Sequence, residues 1–166
     1  MLTGLPKFAI LAVAFIVAGC ESYDFTVNDK LVYTPAPLFS HFNVSDKALY
    51  TCIKQAIIDA KVTEAKQLKT LNCSHAGIES LQGLEVFTGL IQLKLSSNKI
   101  RNLAEIPAIS ELEELYLNDN VIVDPVPLFS LRTLRVLDLS DNRKLQCPDS
   151  SAFIMAETLE LPTHCR

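Results

Sequence analysis

The stretch LIQLKLSSNKI, Leu90 to Ile100, decides how the rest of this 166-residue chain folds. Leu90 belongs to a set of four leucines, Leu68, Leu90, Leu112 and Leu134, spaced by 22 residues. Each opens a segment built on the form LxxLxLxxN: LKTLNCSHA, LIQLKLSSN, LEELYLNDN and LRVLDLSDN, the first carrying Cys73 in an inward place and Ala76 where the others have Asn. A constant period in this range marks a solenoid, whose repeats bury their apolar faces only by stacking on one another.

The second half of each period keeps the same step. Ile78, Ile100 and Ile122 stand ten residues after their opening leucines, with Lys144 departing from the column beside Leu145. Further apolar columns run Leu81, Leu103, Pro125; then Leu84, Ile106, Leu128; then Phe87, Ile109, Leu131, Phe153. Over roughly residues 46 to 166 this pattern resembles the leucine-rich repeat, specifically the 22-residue type of bacterial internalins and of the SDS family of phosphatase regulators. The resemblance implies an α/β fold: a short right-handed leucine-rich-repeat solenoid with parallel strands on its concave face, 3-10 or extended backbone on its convex side and an N-terminal helical cap.

Elementary physics leads to the same picture. Alternation around Leu93 and Leu95, Leu115 and Leu117, and Leu137 and Leu139 points two leucines inward and their neighbours outward, as a short strand requires. Asn98, Asn120 and Asn142 follow, where the chain turns off the strand and buried backbone needs partners; an amide side chain offers both donor and acceptor there. Pro107, Pro125 and Pro127, without a sustained 3.6-residue periodicity, favour 3-10 turns or extended backbone on the return path.

The beginning of the chain has a different character. Residues 1–19 read as a secretory signal, with Lys7 followed by the uncharged run from Phe8 to Ala18. That run is about half the length a bilayer-spanning helix needs. It ends in Val17-Ala18-Gly19-Cys20, which resembles the lipobox of bacterial lipoproteins. The resemblance implies a diacylglyceryl thioether on Cys20, cleavage before it and acylation of the new amine; ordinary signal cleavage beside an incidental cysteine is the alternative. Multiple acyl chains give stable membrane anchoring. Glu21 rather than Asp after Cys20 points, by the enterobacterial sorting rule, to the outer membrane. Removing Lys7 with the signal leaves 14 basic against 19 acidic residues, net −5, which argues against a nucleic-acid partner.

Residues 20–44 are expected to be the lipidated cysteine and a tether stiffened by Pro35 and Pro37, although Leu38, Phe39 and Phe42 could dock on the domain. Residues 45–67 read as a helical cap: Ser45 as N-cap, Asp46 in the first turn, a helix to about Ala60 and a second short helix from Thr63. The repeats occupy 68–145. Residues 146–166 form a C-terminal cap in which Ala156 to Leu161 keeps the phase of a fifth strand.

Four cysteines remain besides Cys20: Cys52, Cys73, Cys147 and Cys165. Three strand spacings of about 4.8 Å separate the turns of Cys73 and Cys147, beyond the ~7 Å that a disulfide tolerates between Cα atoms. The expected pairs are therefore Cys52 with Cys73 and Cys147 with Cys165, each clamping a cap to its repeat; four free thiols are the alternative.

Outward strand positions form the concave face, where these repeats usually recognise partners. Gln92, Lys94, Glu114, Tyr116 and Asp138 are the candidate contact residues, with Tyr116 a central aromatic between Lys94 and Asp138. A merely solvated face is the competing reading. Asp119, Asp124, Asp138 and Asp141 fit no calcium-loop spacing. His41, His75 and His164 are too dispersed for a metal site or triad. No catalytic residue, metal or cofactor is expected, and no small-molecule substrate. The sequence suggests a membrane-anchored module binding a protein or peptide in the bacterial envelope, held at the outer membrane by its lipid. The alternative is a structural accessory subunit of an envelope or secretion complex. Host-cell adhesion would follow only from analogy with internalins.

Overall fold

Strand β1 (Phe25–Val27) pairs antiparallel with β2 (Lys30–Tyr33), where the sequence suggested only an extended spacer. Phe, Thr, Val and Tyr in this stretch favour strands, a local signal invisible to a reading built on a 22-residue period. The computed structural model describes residues 25–27 and 30–166, and divides the chain into one unit through Ala36 and another from Pro37 to Arg166. The signal segment 1–19 and the lipobox with Cys20 lie outside the described residues.

The second unit opens with residues that the sequence placed in the tether. The Phe39 N–H donates to the Val62 carbonyl at 2.8 Å, and the rings of Phe39 and Phe42 meet Phe87 edge-on with centroids 6.0 and 5.5 Å away. Phe87 is fully buried, so this aromatic cluster seals the first turn of the solenoid. Gly83 accommodates the crossing: its φ is +96°, and any Cβ there would collide with the Asn43 carbonyl.

The helix α1 (Lys47–Asp59) covers the exposed end of the stack with Leu49, Ile53 and Ile57, all at most 2% exposed. Asp46, not Ser45, is its N-cap. One carboxylate oxygen accepts from Ala48 and Leu49 N–H groups at 2.9 and 3.1 Å, and the other accepts from Glu79 and Ser80 N–H groups at 2.9 and 3.2 Å. A serine hydroxyl has one oxygen and could not serve both sets. The second helix expected from Thr63 is only a 3-10 turn, Ala65–Gln67, closed by reciprocal bonding between Glu64 and Gln67.

Five three-residue strands follow: β3 (Thr70–Asn72), β4 (Gln92–Lys94), β5 (Glu114–Tyr116), β6 (Val136–Asp138) and β7 (Thr158–Glu160). They form one parallel sheet in sequence order, with Leu71, Leu93, Leu115, Leu137 and Leu159 in register. The architecture is a short leucine-rich-repeat solenoid. Leu93, Leu95, Leu115, Leu117, Leu137 and Leu139 are 0% exposed, so each contributes about 2 kcal/mol of transfer free energy to the stack. The return paths carry 3-10 turns at Leu84–Val86, Ile106–Ala108, Val126–Ser130 and Ser150–Phe153.

Between strand and return path the chain makes the same turn four times. His75, Ser97, Asp119 and Asp141 share one column and adopt φ of 59°, 55°, 55° and 58°. Aspartate tolerates this left-handed conformation better than most residues, which accounts for Asp119 and Asp141 without any cation. The next column satisfies the buried backbone. Asn120 Nδ2 donates to the carbonyls of Leu95 in the preceding turn and Leu117 in its own, both at 3.0 Å, while Oδ1 accepts from Ile100 N–H at 3.0 Å. Asn98 and Asn142 repeat the arrangement one turn to either side.

Disulfides join Cys52 to Cys73 and Cys147 to Cys165, with Cα separations of 5.8 and 5.2 Å. The first ties α1 to β3. The second ties the last repeat to the 3-10 turn Thr163–Cys165 at the C-terminus.

Candidate functional site

Strand pleating sends the side chains of Gln92, Lys94, Glu114, Tyr116 and Asp138 to the face of the sheet opposite the leucines. All five are half-buried by one another, so the face is a packed layer rather than a fringe of free side chains. Parallel register sets Gln92 beside Glu114 and lines up Lys94, Tyr116 and Asp138.

The strand spacing brings the Lys94 ammonium to 5.0 Å from the centroid of the Tyr116 ring, within cation–π range. Glu114 Oε2 accepts hydrogen bonds from Gln92 Nε2 and from the Tyr116 hydroxyl, the latter at 3.2 Å. Asp138 Oδ1 accepts from the Ser140 N–H and hydroxyl at 2.9 and 2.6 Å. In the adjoining column the Ser96 hydroxyl donates to Asn118 Oδ1. Partial burial, the charge of Glu114, the hydrogen bond to it and the charge of Asp138 together push the Tyr116 phenol above its usual pKa. The hydroxyl therefore stays a donor to Glu114, and the Lys94 ammonium lies over the ring.

This arrangement suits recognition. Tyr116 is an aromatic side chain with two neighbours already engaged, so a ligand packing on it would meet a ring whose rotamer freedom is restricted. Toward the last strand the face becomes acidic, where Asp138 continues into Glu160, itself paired with Arg166. None of His41, His75 and His164 belongs to these columns. The strand register sets Tyr116 beside the neighbours that the sequence grouped with it, while the Gln92–Glu114–Tyr116 hydrogen-bond chain was not read from the sequence. The signal was present: residues 92 and 114 differ by one period, so they are adjacent whenever the stack forms.

Of the four aspartates considered for a cation, Asp124 caps a turn by accepting from Val126 N–H at 2.9 Å, and Asp138 is engaged by Ser140. Among the described residues, Cys147, His164 and Cys165 are the group whose donor atoms come close enough to one another to hold a metal, within 4.8 Å. The two sulfurs are bonded to each other in this structure.

No family model and no curated protein matches the chain. Among solved structures it is similar to an internalin, InlF, from Listeria monocytogenes, at 27% identity and a TM-score of 0.60, over 71% of this chain and 36% of that one. It is also similar to the functional domain of InlJ from the same organism, which includes a cysteine ladder, at 26% identity and a TM-score of 0.52. That match covers 57% of this chain and 20% of InlJ's, so the chain spans roughly a third or less of these relatives.

Proposed function

We propose that the protein is a membrane-anchored binding module that captures a protein or peptide ligand in the bacterial envelope through the exposed face of its sheet. The observation that carries this reading is the aromatic ring of Tyr116, in contact with Lys94 and Glu114 in the middle of five strands. Aromatic residues near the centre of a patch are the commonest energetic anchors of interfaces. The likeness to internalins supports a recognition role by fold analogy. With five strands the face is short, which suits an extended peptide or the edge of a larger partner. The lipobox-like Val17-Ala18-Gly19-Cys20 supports attachment through Cys20, and Glu21 supports the outer membrane.

The test is crosslinking and pulldown of the tagged protein from intact cells, beside the Tyr116→Ala variant. The reading requires that the variant lose at least tenfold in capture while its melting temperature is unchanged. Equal capture by both proteins would remove the sheet face from the binding site. Surface protease on intact cells separates the external-ligand reading, in which the domain is cleaved, from an accessory subunit facing the periplasm, in which it is spared.

A further inference from the structure

At the C-terminal end of the solenoid, Cys147, His164 and Cys165 place two sulfurs and an imidazole nitrogen within 4.8 Å of one another. We infer that this cluster is a redox-gated site for a thiophilic divalent cation such as Zn²⁺, closed while the Cys147–Cys165 disulfide is intact and opened when a dithiol reduces it. A tetrahedral ion with two thiolates and one imidazole needs its donors about 3.5 to 3.8 Å apart, at Zn–S and Zn–N bonds of about 2.3 and 2.0 Å. The sulfurs reach that spacing by rotating apart once their bond is cut.

Three features support the assignment. First, the segments carrying the ligands are held by hydrogen bonds as well as by the disulfide. His164 Nε2 lies 3.0 Å from the Leu145 carbonyl, the Cys165 N–H donates to the Pro162 carbonyl at 2.9 Å, and Arg166 Nε donates to the Leu161 carbonyl at 3.1 Å. The Gln146 N–H also holds its segment to the Val123 carbonyl at 2.8 Å. Second, a carbonyl can only accept, so Nε2 carries the proton and the ring's lone pair sits on Nδ1; a backbone carbonyl on the other nitrogen is the usual way a metal-binding histidine is oriented. Third, Cys147 is exposed and Cys165 half-buried, whereas Cys73 of the other pair is 2% exposed. Exchange needs access to a sulfur, so the C-terminal pair is the more open to attack.

The steps balance. Attack by a dithiol reductant transfers two electrons and two protons to the disulfide, yielding two thiols while the reductant closes to its own disulfide. Metal binding then releases both thiol protons to solvent, and neutral His164 binds through its lone pair. A water completes the fourth position.

The test uses the full chain carrying Cys20→Ser, with Co²⁺ as a spectroscopic probe followed by Zn²⁺ competition. The expected result is that the oxidised protein takes up no Co²⁺. After dithiol reduction and removal of the reductant, one equivalent binds with thiolate charge-transfer absorption and tetrahedral d–d bands. The paired Cys147→Ser, Cys165→Ser variant should lose this spectrum. The His164→Gln variant, checked in its oxidised form for an unchanged melting temperature, should bind at least tenfold more weakly with an altered d–d envelope. An absent tetrahedral spectrum in the reduced protein, the same spectrum in the serine variant, or an unaltered affinity in His164→Gln would each overturn the site. Should the serine variant fail to fold, His164→Gln alone decides.

Discussion

The carboxylate of Asp46 caps α1 with one oxygen and, with the other, accepts the Glu79 N–H at 2.9 Å across 33 residues of sequence. The helix cap and the first repeat are thus joined through one side chain. Burial raises the Asp46 pKa, but the N–H groups of Glu79, Leu49, Ser80 and Ala48 outweigh it and hold the carboxyl below its ordinary range. Asp46→Ala should cost about 2 kcal/mol, combining a lost N-cap with two orphaned N–H groups. Because the folded pKa is depressed, this stabilisation is fully present above the unfolded value of about 4 and is lost progressively as pH falls from there through the lower folded value. Urea unfolding at pH 7 and pH 3 should show a wide gap between wild type and variant at the higher pH and a narrow one at the lower.

A different test addresses the asparagine column. Asn120→Ala strands the Ile100 N–H inside the stack and takes one of two amide donors from each of the Leu95 and Leu117 carbonyls, which keep Asn98 and Asn142, and should destabilise the protein by about 2 kcal/mol. Asn102 is exposed and serves one N–H, that of Ala104, so Asn102→Ala should cost about 0.5 kcal/mol. Chemical denaturation of both variants would read the ratio directly, and similar costs would mean that the ladder carries little stability.

Two glycines separate close approach from backbone conformation. Gly89 is buried, and a Cβ there would run into the Lys66 carbonyl, whereas Gly77 has open space around it but a φ of +79°. Gly77→Ala should cost about 1 kcal/mol through left-handed strain alone. Gly89→Ala should cost more than about 2 kcal/mol, since backbone must move. Thermal melts giving the reverse order would show that residues 64–68 do not cross over Gly89 as described.

The proposed anchor makes its own prediction. Cys20→Ser removes the sulfur that would carry the diacylglyceryl group, so the protein should move from the membrane pellet to the soluble periplasmic fraction. Retention in the membrane after a carbonate wash would rule out the thioether as the attachment.

How much of the molecule was legible in the amino-acid order depends on spacing. A 22-residue period translates directly into neighbours across the sheet, so the strand register, the inward leucines, the asparagine column and the position of Tyr116 beside Lys94 could all be read from Leu68, Leu90, Leu112 and Leu134. The separations within the cysteine pairs, 21 and 18 residues, fall near one period and belong to the same logic. Contacts outside the repeat have no such rule. Whether Ser45 or Asp46 caps α1 turns on what lies opposite, and only the placement of Glu79 and Ser80 shows that two oxygens are needed. The docking of Phe39 and Phe42 on Phe87, and the pairing of His164 with the Leu145 carbonyl, likewise depend on how terminal segments fold back. Stacking of identical turns is a one-dimensional problem that residue order determines by itself. Closing the two ends is three-dimensional, because each cap must satisfy whatever apolar surface and backbone polar groups the last turn leaves uncovered.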